Sequence, residues 1–302
     1  MVQIPEYFKK KARRQFGNKG PRWVEGLSKT LSKCINRWQL CDVKVVADLS
    51  INFLCYATSP HGEVVLKIEG PHSEGKTEML ALELYRGRNV CLPLEIDYDL
   101  DAILLERVVP GISLRKAVSE VEQLRIGVHL VRDLPIPVDS ATPLPCYQNW
   151  LDRAFSSMRE RYNPSESFRN SIYAAEEMAA EIPMNGGSLL HGDLHHDNIL
   201  LGSQGEWKVI DPQGVIGAPV MECGRFIQNH AVDGHNRLDL QKAYGTVNYV
   251  ASVLEQSQRK IWIAFFILHV LSFCWGYEMN YTSTKLKKGA GECAAILEAI
   301  PG

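Results

Sequence analysis

The sequence predicts an α+β protein in two lobes, a small β-rich one followed by a larger, mostly helical one. Three observations carry this reading. Strand-like apolar runs crowd between residues 43 and 106. Helical spacing of apolar residues dominates after Gly111. One β-like island, residues 189–215, interrupts those helices. Strands gathered first and helices gathered afterwards point to segregated layers rather than alternating βαβ units.

Residues 1–40 read as a leading helical region, with the spacing clearest over 24–40. Residues 43–46, 53–57 and 64–68 read as strands, and His61-Gly62 supplies a turn that predicts an antiparallel hairpin. A helix over 77–85 and a strand over 102–106 follow, and Pro110-Gly111 closes the section. The first lobe is therefore expected over 1–108 and the second over 109–302, joined through residues 106–111. In the second lobe helices are expected over 114–131, 148–161 and 167–180 and from 238 to the end.

A chain of 302 residues is long enough for a sizeable core and more than one typical domain. With 45% apolar and 23% charged residues it has the profile of an ordinary globular protein. A net charge of −2 gives no electrostatic reason to expect a nucleic-acid partner. Basic residues do cluster early, at Lys9, Lys10, Lys11, Arg13, Arg14, Lys19 and Arg22, interleaved with Tyr7, Phe8, Phe16 and Trp23. That mixture fits either an RNA-binding arm or a solvated helix face whose aromatics dock on the protein body, and a charge run usually needs no partner. The apolar run 261–275 contains His269 and Ser272 and falls short of the roughly 20 residues a bilayer requires, so it is expected to be a core helix. Eight scattered cysteines without a CxxC pair fit free thiols in a reducing cytoplasm, where the absence of a signal-like apolar stretch near Met1 also places the chain.

The most informative stretch is His191-Gly192-Asp193-Leu194-His195-His196-Asp197-Asn198, flanked by apolar residues and followed by Val209-Ile210-Asp211-Pro212-Gln213-Gly214. A carboxylate, an amide five residues later and a second carboxylate at a strand end suit phosphoryl transfer. One acid holds or deprotonates the attacking hydroxyl, while the amide and the other acid hold Mg²⁺ against nucleotide phosphates.

The segment resembles the catalytic loop of the aminoglycoside phosphotransferases, and its H-G-D-L-H-H-x-N form is similar to the streptomycin 6-phosphotransferase and hydroxyurea kinase branch. Other parts resemble that family in the same order: Val65-Leu66-Lys67-Ile68 the lysine strand, Glu78-Met79-Leu80-Ala81-Leu82 the glutamate helix, and 104–111 the inter-lobe hinge. The resemblance implies a protein-kinase-like two-lobe fold that uses ATP and Mg²⁺. It implies Asp193 as the catalytic acid, Asn198 and Asp211 as magnesium ligands, Lys67 on the phosphates with Glu78 holding it, and backbone groups of Glu106 and Val108 at the adenine. The acceptor it implies is an aminoglycoside-type hydroxyl compound such as streptomycin, with hydroxyurea or another small metabolite as the alternative.

The loop 48–52 lacks the glycines of a phosphate loop, which leaves Ser50 and Asn52 as its candidate contacts. Ala218 stands where the family often has an acid, with Glu222 a possible replacement. Glu222, Asp233 and Glu278 are also candidate contacts to a cationic acceptor. Three competing readings remain. Residues 70–77 match the P-loop pattern G-x-x-x-x-G-K-[ST], although strands precede them and the family reading makes them a linker. His191, His195 and His196 with Asp193 and Asp197 offer zinc-type ligands, in an order unlike the usual hydrolase pattern. A pseudokinase would keep nucleotide binding without transfer.

Overall fold

Residues 53–59 alternate buried and less buried side chains, the period-two pattern of a strand with one face in a core. They are the second strand of the first of two units in the computed structural model, which describes residues 2–47, 49–71 and 75–302. The first unit comprises residues 1–112 with 200–213, and the second residues 113–199 with 214–302.

Elements are numbered along the chain. The first unit opens with helices α1 (Glu6–Gln15) and α2 (Lys19–Arg37). Its sheet is built from β1 (Cys41–Val45), β2 (Phe53–Ser59), β3 (Gly62–Ile68), β4 (Pro93–Asp97) and β5 (Ala102–Glu106). These strands lie antiparallel in the order β1-β2-β3-β5-β4. Phe8, Leu27, Leu31 and Trp38 from the helices close on Phe53, Cys55, Val64 and Leu66 from the sheet, forming one apolar core. Helix α3 (Gly75–Tyr85) connects β3 to β4, and β6 (Ile112–Ser113) ends this part of the chain. The expected strands over 43–68 and 102–106 are present. Strand β4 was not anticipated, because Pro93-Leu94-Glu95-Ile96-Asp97 opens on proline and carries only two apolar side chains that could mark a face.

The second unit begins with α4 (Leu114–Ala117) and α5 (Glu120–Asp133). One helix was expected here; the break comes at Ser119, whose hydroxyl accepts the Glu122 N–H and caps α5. Strand β7 (Ile136–Pro137), α6 (Tyr147–Arg161), α7 (Glu166–Ala179) and β8 (Ser188–Leu190) follow. The chain then forms β9 (Ile199–Leu201), enters the first unit and makes β10 (Trp207–Val209) there. The Gly111 N–H donates to Leu201 O, and the Val209 backbone exchanges hydrogen bonds with Asn89 O and the Cys91 N–H. Strand β11 (Val215–Gly217) returns to the second unit and pairs antiparallel with β8, in a small sheet of order β11-β8-β7.

Helices α8 (Glu222–His230), α9 (Leu240–Leu254), α10 (Gln258–Glu278) and α11 (Ser283–Ala299) complete the chain. Helix α10 is apolar almost all round and packs among α6, α7, α8, α9 and α11, as expected of a core helix. Its length and composition alone would let it cross a membrane, yet most of it is buried in the unit. Among the described cysteines none is in a disulfide.

Candidate active site

In the first unit the site grows from strand β3. Residues 65, 67 and 69 share one parity, so Lys67 and Glu69 project to the same side while Val64, Leu66 and Ile68 enter the core. On α3, Glu78 occupies the buried stripe with Gly75, Leu82 and Tyr85. Lys67 Nζ reaches both Glu78 carboxylate oxygens, at 2.5 and 2.6 Å. It also lies 3.0 Å from Asp211 Oδ1 and 3.4 Å from Glu69 Oε1. Three carboxylates therefore surround one ammonium. Burial pulls the Lys67 ammonium down, but Asp211, Glu78 and Glu69 together hold it well above the ordinary lysine range. Burial pushes the Glu69 carboxyl up. Sequence reasoning missed Glu69; its parity with Lys67 was the available signal.

Asp211 has a left-handed backbone, φ 57°, and its side chain is 46% exposed. A non-glycine residue held in that region is uncommon and clusters at functional positions. It is the carboxylate of this group that faces outward. Among the other nucleotide candidates, Ser50 is exposed, whereas Asn52 is buried with Oδ1 accepting the Gly70 N–H at 2.9 Å. Asn52 thus pins its loop and does not present its side-chain oxygen. Glu106 ends β5; its N–H donates to Leu92 O and its carboxylate accepts from Lys208 Nζ and the Leu92 N–H. Val108 follows it, half-buried, in the segment leading to β6. Of the P-loop-like match, residues 72–74 lie outside the described residues; Thr77 Oγ1 donates to Gln213 O at 2.7 Å.

In the second unit the loop between β8 and β9 carries a separate group of candidate residues. Gly192 has φ 79°, and a Cβ there would meet Trp150 at 2.9 Å and Val215 at 3.0 Å, so the turn into Asp193 requires glycine. The Asp193 N–H donates to His191 Nδ1, and the Asn198 amide donates to Asp193 O at 3.1 Å. Arg225 Nε on α8 donates to Asp193 Oδ1 at 2.6 Å, and His195 Nε2 stands 3.6 Å from Oδ2. Burial raises the Asp193 carboxyl, but the His195 contact and the Arg225 charge outweigh it and bring it down to about 2. Asp193 is an ionised acceptor at neutral pH.

Glu222 stands elsewhere than expected. It is 1% exposed, and its two oxygens accept the His191 N–H at 2.6 Å and the Gly192 N–H at 3.2 Å. It braces the loop from behind, which corrects its reading as an acceptor contact. Burial pushes its carboxyl up to about 7 against those two hydrogen bonds. Asp233 accepts from the backbone of His235 and Arg237 and from the Arg237 side chain, so it closes a local turn. Glu278 ends α10, half-buried, and does not line the pocket described next.

Arg225 continues the polar chain away from Asp193. Its Nη1 donates to Gln228 Oε1, which also accepts from Ser272 Oγ; Gln228 Nε2 pairs with His269 Nδ1, and His269 Nε2 lies 3.6 Å from Glu292. These residues line a pocket of about 290 Å³ in the second unit, with Lys285 and Lys288 also on its wall. A second pocket, of about 310 Å³ near Ile182 and Leu254, contains none of the groups around Asp193, so chemistry favours the first. Arg225, Gln228, Ser272 and Glu292 were all missed, because α8 was not anticipated and their partners are distant in sequence.

The zinc reading fails on geometry. His196 lies on the Phe226 ring and its Nε2 pairs with His230 Nδ1 at 3.0 Å, and burial brings the two histidines down to about 2 and about 4, so both are neutral. Asp197 turns to Arg115, and among the described residues no three His, Cys, Asp or Glu side chains are grouped to hold a metal. Magnesium is a different case. Asp211 in the first unit offers a carboxylate, the hard oxygen ligand it prefers, and the excess carboxylate charge around Lys67 favours a cation there.

The sequence profile of the "Aminoglycoside/hydroxyurea antibiotic resistance kinase" family matches residues 37–279. Streptomycin 6-kinase of Streptomyces griseus is 23% identical over 227 residues, 72% of this chain and 72% of that protein. Hydroxyurea phosphotransferase of Kitasatospora aureofaciens is 28% identical over 233 residues, 74% of this chain and 67% of that protein. Choline kinase LicA from Streptococcus pneumoniae superposes with a TM-score of 0.64 at 15% identity, over 91% of this chain and 99% of that one. The last likeness shows a shared protein-kinase-like fold.

Proposed function

The chain belongs to the aminoglycoside/hydroxyurea antibiotic resistance kinase family, and from that premise we propose that it transfers the γ-phosphoryl group of ATP to a hydroxyl of an aminoglycoside-type acceptor, with streptomycin the first to test. The observation that carries this reading is Asp193: an ionised carboxylate held by Arg225 on a loop whose backbone is fixed by Glu222.

In this account Asp193 Oδ2 accepts the proton of the acceptor hydroxyl as its oxygen bonds to the γ-phosphorus and the bond to the β,γ-bridging oxygen breaks, releasing ADP. Lys67, fixed by Glu78, would neutralise phosphate charge, and Asp211 and Asn198 would hold Mg²⁺. Magnesium, when bound, supplies charge neutralisation along the phosphates. The protein contributes position and preset electrostatics, which is most of what a loose phosphoryl-transfer transition state demands. The pocket lined by Arg225, Gln228, Ser272, His269 and Glu292 is the acceptor site in this reading.

A second reading, a smaller neutral or anionic metabolite such as hydroxyurea as acceptor, draws on that same pocket. Its volume of about 290 Å³ sits at the low end for ligand sites, roughly 300–1,000 Å³, and Lys285 and Lys288 stand on its wall. A coupled ADP-release screen over streptomycin, other aminoglycosides, hydroxyurea, choline and small hydroxy acids separates the two. Acceptor-dependent release supports transfer and ranks the acceptors; tight ATP binding with release by none of them refutes it.

A further inference from the structure

The early basic and aromatic cluster has a place in the structure that the catalytic account does not use. Helix α1 lies against the loop between β1 and β2, the loop that lacks the glycines of a phosphate-binding turn. Tyr7 Oη donates to Ala47 O and accepts the Leu49 N–H at 3.5 Å. Lys11 Nζ donates to Leu49 O at 3.1 Å. Leu49 itself is 3% exposed and joins the core formed by Phe8 and Phe53. At the corner between α1 and α2, Phe16 stacks edge-on against Trp23 and covers Gly70, where a Cβ would come within 2.4 Å of the Phe16 ring and 3.0 Å of Ile51 O. The Gly70 N–H in turn holds Asn52. This loop leaves the sheet beside the reactive lysine, since Val46 bonds to Leu54, and Leu54 pairs with Lys67.

We propose that Tyr7, Lys11 and Phe16 form a clamp that fixes the backbone of residues 49–52 for the phosphates of ATP, doing from outside what glycines do within an ordinary phosphate loop. The inference rests on the kinase reading and adds to it positioning residues that precede the matched region 37–279. A glycine-rich loop reaches phosphate by adopting backbone shapes closed to other residues. A loop without that freedom needs outside contacts to hold one shape, because ordering it at the moment of binding weakens affinity. The clamp supplies those contacts in advance.

The test uses the full chain and titration calorimetry with ATP, ADP and adenosine on the wild type, the Tyr7→Phe/Lys11→Met double variant and Phe16→Ala. The double variant is expected to bind ATP about tenfold more weakly, the size of one or two lost net hydrogen bonds. ADP weakens in the same sense, adenosine binding stays put, and the thermal melt remains cooperative. Phe16→Ala moves ATP in the same direction through packing instead of hydrogen bonding. Equal weakening of ATP and adenosine would mean a merely structural role and overturn the clamp, as would unchanged ATP affinity in both variants. A wild-type chain that binds ATP while the variants match it refutes only the clamp. A wild-type chain that binds no ATP refutes the kinase reading and the clamp with it.

Discussion

Arg225 Nε meets Asp193 Oδ1 at 2.6 Å, and its Nη1 donates to Gln228 Oε1, so the acid of the β8–β9 loop and helix α8 are joined through one side chain. The pair is partly shielded, with side-chain exposures of 29% for Arg225 and 22% for Asp193. Its value is chiefly orientation, since the His195 ring stands farther from the carboxylate, at 3.6 Å.

Arg225→Ala should therefore lower kcat by about 10²-fold, the cost of a misplaced reacting group, while the KM for ATP stays near the wild-type value. Added guanidinium ion should restore part of the rate in the alanine variant. Steady-state kinetics with and without guanidinium checks this, and a loss of ATP affinity alone would place Arg225 in a different role.

Lys67→Met removes the ammonium that Glu69, Glu78 and Asp211 share. It should abolish ATP-dependent turnover and destabilise the fold by about 3–5 kcal/mol, as expected when one partner of a buried ion pair is removed. Lys76 is exposed, so Lys76→Ala should leave turnover near wild type. A severe loss at Lys76 with Lys67→Met active would instead support the P-loop reading. Denaturant titration and ADP release on both variants decide it.

Glu222 gives a pH dependence with a definite sign. Its folded pKa of about 7 lies above the ordinary 4.5, so the native state holds a proton that the unfolded chain releases. That contribution is fully present below pH 4.5 and is lost as pH rises through about 7, by about 3 kcal/mol at most. Glu222→Gln should flatten this slope between pH 4.5 and 7 in thermal melts.

Gly224 lies where α8 crosses α10, and a Cβ there would stand 2.8 Å from Ala264 O. Gly224→Ala must push the helices apart, displacing Glu222 and Arg225 together. Turnover is expected to fall by more than about tenfold, with ATP affinity retained. Equal loss of ATP binding would show that the displacement spreads beyond the catalytic loop.

The parts of the site that are legible in the sequence are those whose chemistry is packed into short segments. Asp193 and Asn198 share one loop, and Lys67 and Glu78 lie in the short runs 65–68 and 78–82 that resemble the family's lysine strand and glutamate helix. The rest depends on distant partners. Arg225 reaches Asp193 only because α8 folds back on the loop, and Glu222, exposed by its chemistry, is buried because two backbone N–H groups need an acceptor there. Strand β4 escaped notice because its strand character comes from pairing with β5, not from its own side chains. Helix α8 escaped because glutamate, arginine and histidine interrupt its apolar stripe at positions that the loop and pocket use.

The most direct measurement is acceptor-dependent ADP release by the wild type and Asp193→Asn, with the product examined by mass spectrometry. The account predicts that a hydroxyl acceptor, streptomycin first, stimulates release and gains a single phosphate, and that Asp193→Asn binds ATP normally but loses that stimulation. Undiminished acceptor phosphorylation by Asp193→Asn would contradict it.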